Sequence, residues 1–280
     1  MKEAQLTAAG IVKDVLEGGN LDKVFQKYLK EKKINPKELS QVKDLAFGAL
    51  RSYGKTKFVI NKLVKRPPSN LLISTLLHIA LFQLIFNRSN PYTVVDQAVS
   101  ASNSVNKRHT AFVNGVLRTF LRERVIILEE AENNEEAKYS YPIWWINQIK
   151  KEYSKSWENI LDIGNSHPAL IIRVNIKKVS INKYIKKLEE HKIEHTFLGD
   201  EAILIKKPMP VDSIPGFNVG EISIQDYGAQ LAPRLLDLKK NHNVLDACAA
   251  PGGKACHMIE IEEIKLTAVE ADKKRVERIN

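Results

Sequence analysis

Cysteine is scarce in this sequence, with two residues among 280. Cys248 and Cys256 lie eight positions apart in one short stretch, so the chain has no disulfide framework and no spacing typical of metal ligands. No charged and apolar signal segment opens the sequence. We therefore expect a monomer of the reducing cytoplasm that binds no metal.

Hydrophobic runs of membrane length are also missing. The most apolar stretch, Leu71 to Phe86, is shorter than the roughly 20 residues that a membrane-spanning helix needs. It also contains four polar side chains: Ser74, Thr75, His78 and Gln83. We expect a buried core helix and no membrane association, and we interpret His78 as a hydrogen-bonded core histidine without a catalytic role.

Acidic residues are few in the first part of the chain. Residues 1–128 hold 21 Lys and Arg against 9 acids, whereas residues 129–225 hold 13 against 15 and residues 226–280 hold 9 against 9. The net charge of +10 is thus confined to the first part. Charge runs are commonly just solvated faces. A basic module joined to near-neutral parts instead favours binding to an anionic polymer, because clustered cations displace the counterions of phosphates.

The basic part has helical periodicity throughout. Helices are predicted from about Ala4 to Leu16, from Leu21 to Lys32 and from Pro36 to Leu50. Later in this part, large apolar residues recur at helical spacing and predict a core stripe: Phe112, Val113, Val116, Leu117, Phe120 and Leu121. Three arginines of the same segment, Arg118, Arg122 and Arg124, are expected on other faces of that helix.

An acidic and polar stretch, Glu129 to Lys138, predicts a domain boundary. A helix is expected after Pro142, then a strand around Leu170, a helix capped by Ser180 and a strand from Ala202. This order predicts a small α/β domain over residues 129–215. We interpret Trp144 and Trp145 as packing anchors.

The last part, residues 216–280, is expected to begin a Rossmann-like α/β domain. After the strand EISIQD and the helix YGAQLAPRLLDL comes NVLDACAAPGGK, Asn243 to Lys254, which predicts a strand, a turn of small residues and a helix start. A second apolar run, Leu266 to Val269, ends at Glu270. Strand, turn, helix and strand are the opening of a nucleotide-binding βαβ unit.

The small residues of the turn have a physical use. Gly252 and Gly253 have no side chains, so a ligand can approach the backbone N–H groups at the helix start. Glu270 lies near the offset at which an acid at the end of the next strand binds ribose hydroxyls. The P-loop motif fails because Cys248 and Ala255 replace its Gly and Ser or Thr, and the dinucleotide pattern is absent. A single nucleoside with a small charged group, such as S-adenosyl-L-methionine, fits better.

These motifs also carry a family resemblance. VLDACAAPGGK and AVEADKKRVERIN resemble the RsmB/Sun (Fmu) group of S-adenosylmethionine-dependent ribosomal RNA cytosine-5 methyltransferases, as do NGVLRTFLRER, PALIIRVN and PGFNVGEISIQDYGAQLAP. The resemblance implies a NusB-like, RNA-binding domain over 1–128, a linker domain and a cofactor domain. The cofactor-binding residues that it implies are Cys248, Ala249, Ala250, Pro251, Gly252, Gly253, Lys254 and Glu270. The family more often has Asp at the last position.

The implied partner is small-subunit (16S) ribosomal RNA. Aromatic residues that could stack on bases are sparse, with Tyr53 and Tyr92 the evident exposed candidates, so we expect contacts mainly to the RNA backbone. Arg51, Arg108 and Arg118 are the first candidates for those contacts.

The resemblance implies a cysteine thiolate that adds to cytosine C6, so that C5 can take the methyl group. The family's two cysteines, one after a proline and one after a threonine, would lie beyond Asn280, so no catalytic residue is assigned and Cys248 and Cys256 are interpreted as small packing residues. An open sheet of this kind has about 5 or 6 strands, and the 280 residues supply two. We therefore expect an incomplete catalytic domain and no methyl transfer by this chain alone. Two alternatives stay open: a non-catalytic NusB-like RNA-binding module, and a methyltransferase of another substrate class.

Overall fold

The computed structural model describes residues 2–32, 36–66, 68–86, 88–166 and 168–277. The chain folds into two compact units, Met1–Ser166 and His167–Asn280. The first unit is helical, which confirms the helical prediction for residues 1–128, and its helices have these bounds: α1 Lys2–Leu16, α2 Leu21–Lys32, α3 Pro36–Arg51, α4 Tyr53–Leu63, α5 Leu71–Ile85, α6 Pro91–Val105, α7 Thr110–Glu132, α8 Glu135–Tyr139, α9 Ile143–Glu152 and α10 Trp157–Asn165.

Helix α5 is the central helix of this unit. It is apolar on every side and packs against α1, α3, α4, α6 and α7, as expected for a helix buried all round. The prediction of a core helix at Leu71 to Phe86 is confirmed. Within the described ranges, no helix combines the length and the apolar character needed to cross a membrane.

His78 is one of the buried polar residues of α5, and its interpretation as a core histidine is confirmed. The residue is 4 % exposed, and its Nδ1 lies 2.6 Å from the Thr56 hydroxyl. Burial lowers the pKa of the imidazole to about 4, with a smaller effect of the positive charge of Lys57. The histidine is therefore neutral near pH 7 and suits a hydrogen-bonded place in the core.

Asparagine side chains start several of these helices. Asn70, Asn90 and Asn134 accept hydrogen bonds from backbone N–H groups in the first turns of α5, α6 and α8. Pro91 occupies the first position of α6, where its missing N–H costs nothing. These caps satisfy backbone N–H groups that have no acceptor within the helix.

Helix α7 contains the predicted core stripe. Val113, Val116, Leu117 and Phe120 are buried, and Phe112 and Leu121 pack against the same cluster, which confirms the stripe. The helix continues to Glu132, and α8 follows directly, so the acidic stretch predicted as a boundary is helical here. Its acids have partners, because Glu130 and Glu132 each lie 2.6 Å from a lysine of α4. The division of the chain at residue 128 stays a prediction.

The second unit begins with a four-stranded antiparallel sheet. Its strands are β1 Leu170–Val174, β2 His195–Gly199, β3 Ala202–Ile205 and β4 Ile222–Ile224, in the order β2-β3-β1-β4. Helix α11, Ile181–Glu190, lies after β1 and buries Tyr184 and Leu188 with the apolar side chains of the sheet. The result is an α/β layer with one apolar face under α11.

Three details of this sheet differ from the sequence-based expectation. Strand β2 is not among the predicted strands, because its sequence, HTFLG, has no clear alternation of apolar and polar residues. Strand β4, expected at the start of the cofactor part, pairs with β1, and Ile222 lies in the core of the antiparallel sheet. Ser180 precedes α11 as predicted, but its side chain makes no capping hydrogen bond.

A second, two-stranded sheet follows. Strands β5 Asn243–Asp246 and β6 Lys265–Ala268 are parallel, and helix α13, Gly253–Ile261, connects them. Helix α12, Tyr227–Arg234, packs against α13, and α14 covers Lys273–Val276. The predicted strand, turn, helix and strand are therefore present.

Candidate functional site

The candidate site lies at one edge of the β5–β6 sheet. The parallel register pairs Asp246 with Ala268, so both strands end at the same edge. Ligands of open α/β sheets bind outside the carboxyl ends of their strands. The turn after β5 and Glu270 after β6 meet at that edge.

The turn between β5 and α13 is held by hydrogen bonds to the ends of both strands. The carboxylate of Asp246 accepts a hydrogen bond from the Cys248 N–H at 3.2 Å, and the Ala249 N–H donates to the Val269 carbonyl at 3.0 Å. Ala249 and Ala250 are 4 % and 6 % exposed. The turn is thus bound to the end of β6 and has a defined shape.

The two glycines of this turn differ in whether the backbone conformation requires glycine. Gly252 has φ = 103°, a backbone conformation that residues with a side chain rarely adopt. Gly253 has no such φ, and a Cβ placed on it would lie 3.8 Å from Gln225 Nε2, which is ordinary contact. The backbone itself therefore requires glycine at 252 only. The first N–H groups of α13 have no intrahelical acceptor and are suited to bind a ligand beside Gly253.

Glu270 comes directly after β6 and is turned inward. Its side chain is 3 % exposed and lies 3.3 Å from Arg275 Nη1, and its Oε1 accepts from the Asp272 N–H at 3.1 Å. Its Oε2 has no hydrogen-bond partner among the described residues. Arg275 also donates to the Ala250 carbonyl at 2.6 Å. One arginine thus connects the turn with the acid.

The remaining predicted residues of the turn are exposed: Cys248, Pro251 and Lys254. Cys256, on α13, is also exposed. The interpretation of the two cysteines as packing residues is therefore wrong. The buried side of α13 consists of Ala255, His257 and Met258, and Cys256 lies outside it.

The polar contacts between α13 and the antiparallel sheet were not predicted from the sequence. Arg173 of β1 is fully buried, and its guanidinium binds both carboxylate oxygens of Glu260, at 3.1 and 2.9 Å. It also donates to the Gly253 carbonyl at 2.8 Å and to the Gln225 side chain. A charged residue inside the apolar run LIIRVNI was the available signal.

A second ion pair lies beside these contacts. Both oxygens of Glu201 are 2.6 Å from Arg234 Nη2, and Glu201 also lies 3.6 Å from His257 Nε2. His257 is 1 % exposed. Burial, with a smaller effect of the positive charge of Arg173, lowers its pKa to about 4. The imidazole is therefore neutral near pH 7.

The candidate RNA contacts lie on the helical unit. Arg51, Arg108 and Arg118 are exposed, as expected, and Tyr92 is 78 % exposed. Tyr53 is half-buried instead, because its ring stacks on His78 at 4.6 Å between centroids. It is not an exposed platform for bases.

The interpretation of Trp144 and Trp145 as packing anchors is wrong. The two side chains are 66 % and 38 % exposed. Helix α9 buries Ile146 and Ile149 instead, so both tryptophans lie outside the buried face.

Within the described ranges, no group of three or more His, Cys, Asp or Glu could hold a metal ion.

Comparison with protein families gives three matches in chain order. The NusB family model matches residues 2–122, a ferredoxin-like domain of RsmF/B-like methyltransferases matches 141–212, and the 16S rRNA methyltransferase RsmB/F model matches 233–280. Probable ribosomal RNA small subunit methyltransferase B of Coxiella burnetii is 36 % identical over 252 residues, which cover 88 % of this chain and 59 % of the relative. The chain belongs to the RsmB/F family.

Other RsmB/F relatives agree with this assignment. Ribosomal RNA small subunit methyltransferase B of Proteus mirabilis is 31 % identical over 280 residues, covering 97 % of this chain and 65 % of the relative. The chain thus spans about three fifths of the length of these curated relatives. The crystal structure of PH0851 has the same fold, with a TM-score of 0.68 and 22 % identity over 100 % of this chain and 66 % of that one.

The fold of this RsmB/F chain is therefore a NusB-like helical part, a ferredoxin-like α/β part and the first strands of a methyltransferase domain. The antiparallel sheet with α11 is the ferredoxin-like part. The family resemblance seen in the glycine-rich turn is confirmed.

Proposed function

We propose that this protein is an S-adenosylmethionine-dependent methyltransferase that forms 5-methylcytidine in small-subunit (16S) ribosomal RNA. The curated relatives named ribosomal RNA small subunit methyltransferase B support the class of enzyme and of substrate. The observation that carries the cofactor assignment is the meeting of the β5–α13 turn and Glu270 at one strand edge. The cytosine C5 chemistry rests on the family resemblance.

The chemistry of this edge fits a charged nucleoside. The unpaired N–H groups at the start of α13 can bind the carboxylate of the methionine moiety, and the position of the helix N-terminus favours negative charge there. Glu270 Oε2 is buried and lies 3.3 Å from Arg275 Nη1 but accepts no hydrogen bond, and ribose hydroxyls would supply donors to it. When bound, S-adenosylmethionine supplies an electrophilic methyl group, and the turn and Glu270 orient it.

Calorimetry with S-adenosylmethionine tests this assignment. Glu270→Ala should weaken binding by about tenfold, because the ribose hydroxyls lose a charged acceptor. Arg275→Gln is a second variant, since it leaves the carboxylate in place and removes its protein partner. If Glu270 binds ribose, Arg275→Gln should retain more affinity than Glu270→Ala. Equal affinity of Glu270→Ala and the parent would reject the ribose contact.

The catalytic nucleophile is not assigned to any residue of the 280. Cys248 and Cys256 follow alanine, so neither occurs in the Pro-Cys or Thr-Cys context of the family, and the sequence predicts no methyl transfer by this chain alone. Incubation with labelled S-adenosylmethionine and undermethylated small-subunit rRNA checks this prediction. Label that this chain incorporates and that Cys248→Ala abolishes would contradict it.

For the helical unit we propose RNA binding through phosphate contacts. The excess of positive charge in residues 1–128 and the exposed Arg51, Arg108 and Arg118 support it. Each lost contact should reduce the slope of log affinity against log salt by about 0.7 for single strands. Filter binding of the parent and of the triple alanine variant to an rRNA fragment measures both slopes. A salt-independent affinity would contradict the proposal and would remove support for the alternative, a non-catalytic RNA-binding module.

A further inference from the structure

Strand β1 has two faces of opposite character. Ile172 and Val174 point into the apolar core under α11, whereas Arg173, between them, lies on the other face because side chains alternate along a strand. Arg173 is nevertheless 0 % exposed. A buried guanidinium is unfavourable unless charges and hydrogen-bond acceptors surround it, so its partners are a defined part of the structure.

Those partners lie on one face of α13. The Gly253 carbonyl is at the first position of the helix, and Glu260 follows seven residues later, which is about two turns along the same face. Arg173 binds the Gly253 carbonyl through Nη1 at 2.8 Å and the Glu260 carboxylate through Nε and Nη2. A single side chain thus fixes α13 at two points and leaves it little freedom to shift or rotate.

Two further contacts support this arrangement, one to Arg173 itself and one to α13. The Gln225 side-chain carbonyl, just after β4, accepts from Arg173. Lys177, after β1, donates to the Ile259 carbonyl at 2.6 Å. His257, on the buried side of α13, is neutral near pH 7 because burial and the charge of Arg173 lower its pKa to about 4. It therefore adds no positive charge beside Arg173.

We infer that Arg173 is a positioning residue for the cofactor turn: its contacts with Gly253 and Glu260 fix the N-terminus of α13 against the ferredoxin-like sheet. This inference rests on the proposed function, because it assigns Arg173 to the binding of S-adenosylmethionine at that N-terminus. Arg173 does not itself belong to the predicted cofactor-binding residues. The ferredoxin-like part is therefore a structural component of the cofactor site.

The variants Arg173→Lys and Glu260→Gln test the inference in the full chain. Lysine keeps the charge but cannot bind a carboxylate with two parallel N–H groups, and glutamine keeps the size of Glu260 but not its charge. Ile205→Val is the matched control, because Ile205 lies in the same sheet with its side chain in the core under α11. Both polar variants should weaken S-adenosylmethionine binding about tenfold, and the control should bind as the parent does.

Amide hydrogen exchange gives a readout that does not depend on the cofactor. In Arg173→Lys, the amides from Cys256 to Ile261 should exchange about tenfold faster than in the parent, and those of the β1–β3 ladder should not change. If the parent binds no S-adenosylmethionine, the proposed function fails and the exchange rates still decide whether Arg173 fixes α13. Unchanged exchange and affinity in both polar variants, or equal losses in Ile205→Val, would overturn the inference.

Discussion

Helices α5 and α13 are both fixed by their surroundings, but through different interactions. Helix α5 buries apolar side chains on every side, and hydrophobic burial has no preferred direction. Helix α13 buries three residues and is fixed by directional contacts of Arg173 and Lys177. The difference follows their positions, since α5 stabilises a core and α13 presents its first N–H groups at the candidate site. Directional contacts specify an orientation that burial alone does not.

Removal of the Glu260 carboxylate, the charged partner of Arg173 on α13, should have the largest effect on stability. Glu260→Ala leaves the buried Arg173 without its carboxylate, and breaking a buried pair in this way costs about 3–5 kcal/mol. Denaturant unfolding measures the change. Glu190→Ala on the exposed side of α11 is the control and should change stability by less than about 0.5 kcal/mol. Equal effects of the two substitutions would refute the account of α13.

Helix α5 should tolerate changes that keep apolar volume. Leu77 is fully buried, so Leu77→Ala should cost about 2–5 kcal/mol through the cavity that it leaves. Leu77→Met, of similar volume, should cost less than about 1.5 kcal/mol. Thermal unfolding of both variants measures the two losses of stability. A Leu77→Met variant as unstable as Leu77→Ala would show that shape, and not burial, controls α5.

The buried histidine of α5 should make stability depend on pH. Because the pKa of His78 falls from 6.5 to about 4 in the folded protein, the unfolded chain takes up a proton first as the pH decreases. Stability is therefore lost between pH 6.5 and 4, by about 3 kcal/mol at the lower limit. His78→Gln should remove that part of the loss, while His257 contributes a loss in the same window. Identical pH profiles of the parent and His78→Gln would contradict this prediction.

The two glycines of the turn should respond differently. Gly252→Ala places a Cβ at φ = 103° and should cost about 1–2 kcal/mol. Gly253→Ala should be neutral or stabilising by less than about 1 kcal/mol, because its backbone is compatible with a side chain and a Cβ has space there. Urea unfolding of the two variants gives the comparison. A Gly253→Ala variant that is less stable than Gly252→Ala would reject the distinction.

Local patterns allowed much of the fold to be predicted, and long-range polar contacts were not predictable. The apolar stretch of α5, the stripe of α7 and the turn with Gly252 and Gly253 each depend on residues close together in the sequence. Arg173 and Glu260, in contrast, are separated by 87 positions. The sequence around either residue does not indicate that the other is its partner. Strand β4 was assigned to the wrong sheet for the same reason, since its pairing with β1 depends on residues far apart.

Local sequence patterns also did not predict the exposure of several side chains. Trp144, Trp145 and both cysteines have residue types that are commonly buried, yet their positions on helix and turn leave them exposed. Glu270 was predicted as a ribose-binding acid from its offset alone, and its pairing with Arg275 could not be inferred. Its role at the candidate site stays a prediction.

The most direct test of the account is a titration of Gly253→Ala with S-adenosylmethionine, beside the parent and Gly115→Ala. Gly115, on α7 of the helical unit, also has space for a Cβ and does not belong to the predicted cofactor turn, so Gly115→Ala is the control. If the cofactor approaches the backbone at Gly253, the parent and Gly115→Ala should bind equally and Gly253→Ala should bind at least about tenfold more weakly. Equal binding by all three proteins would show that the cofactor does not approach the backbone at Gly253.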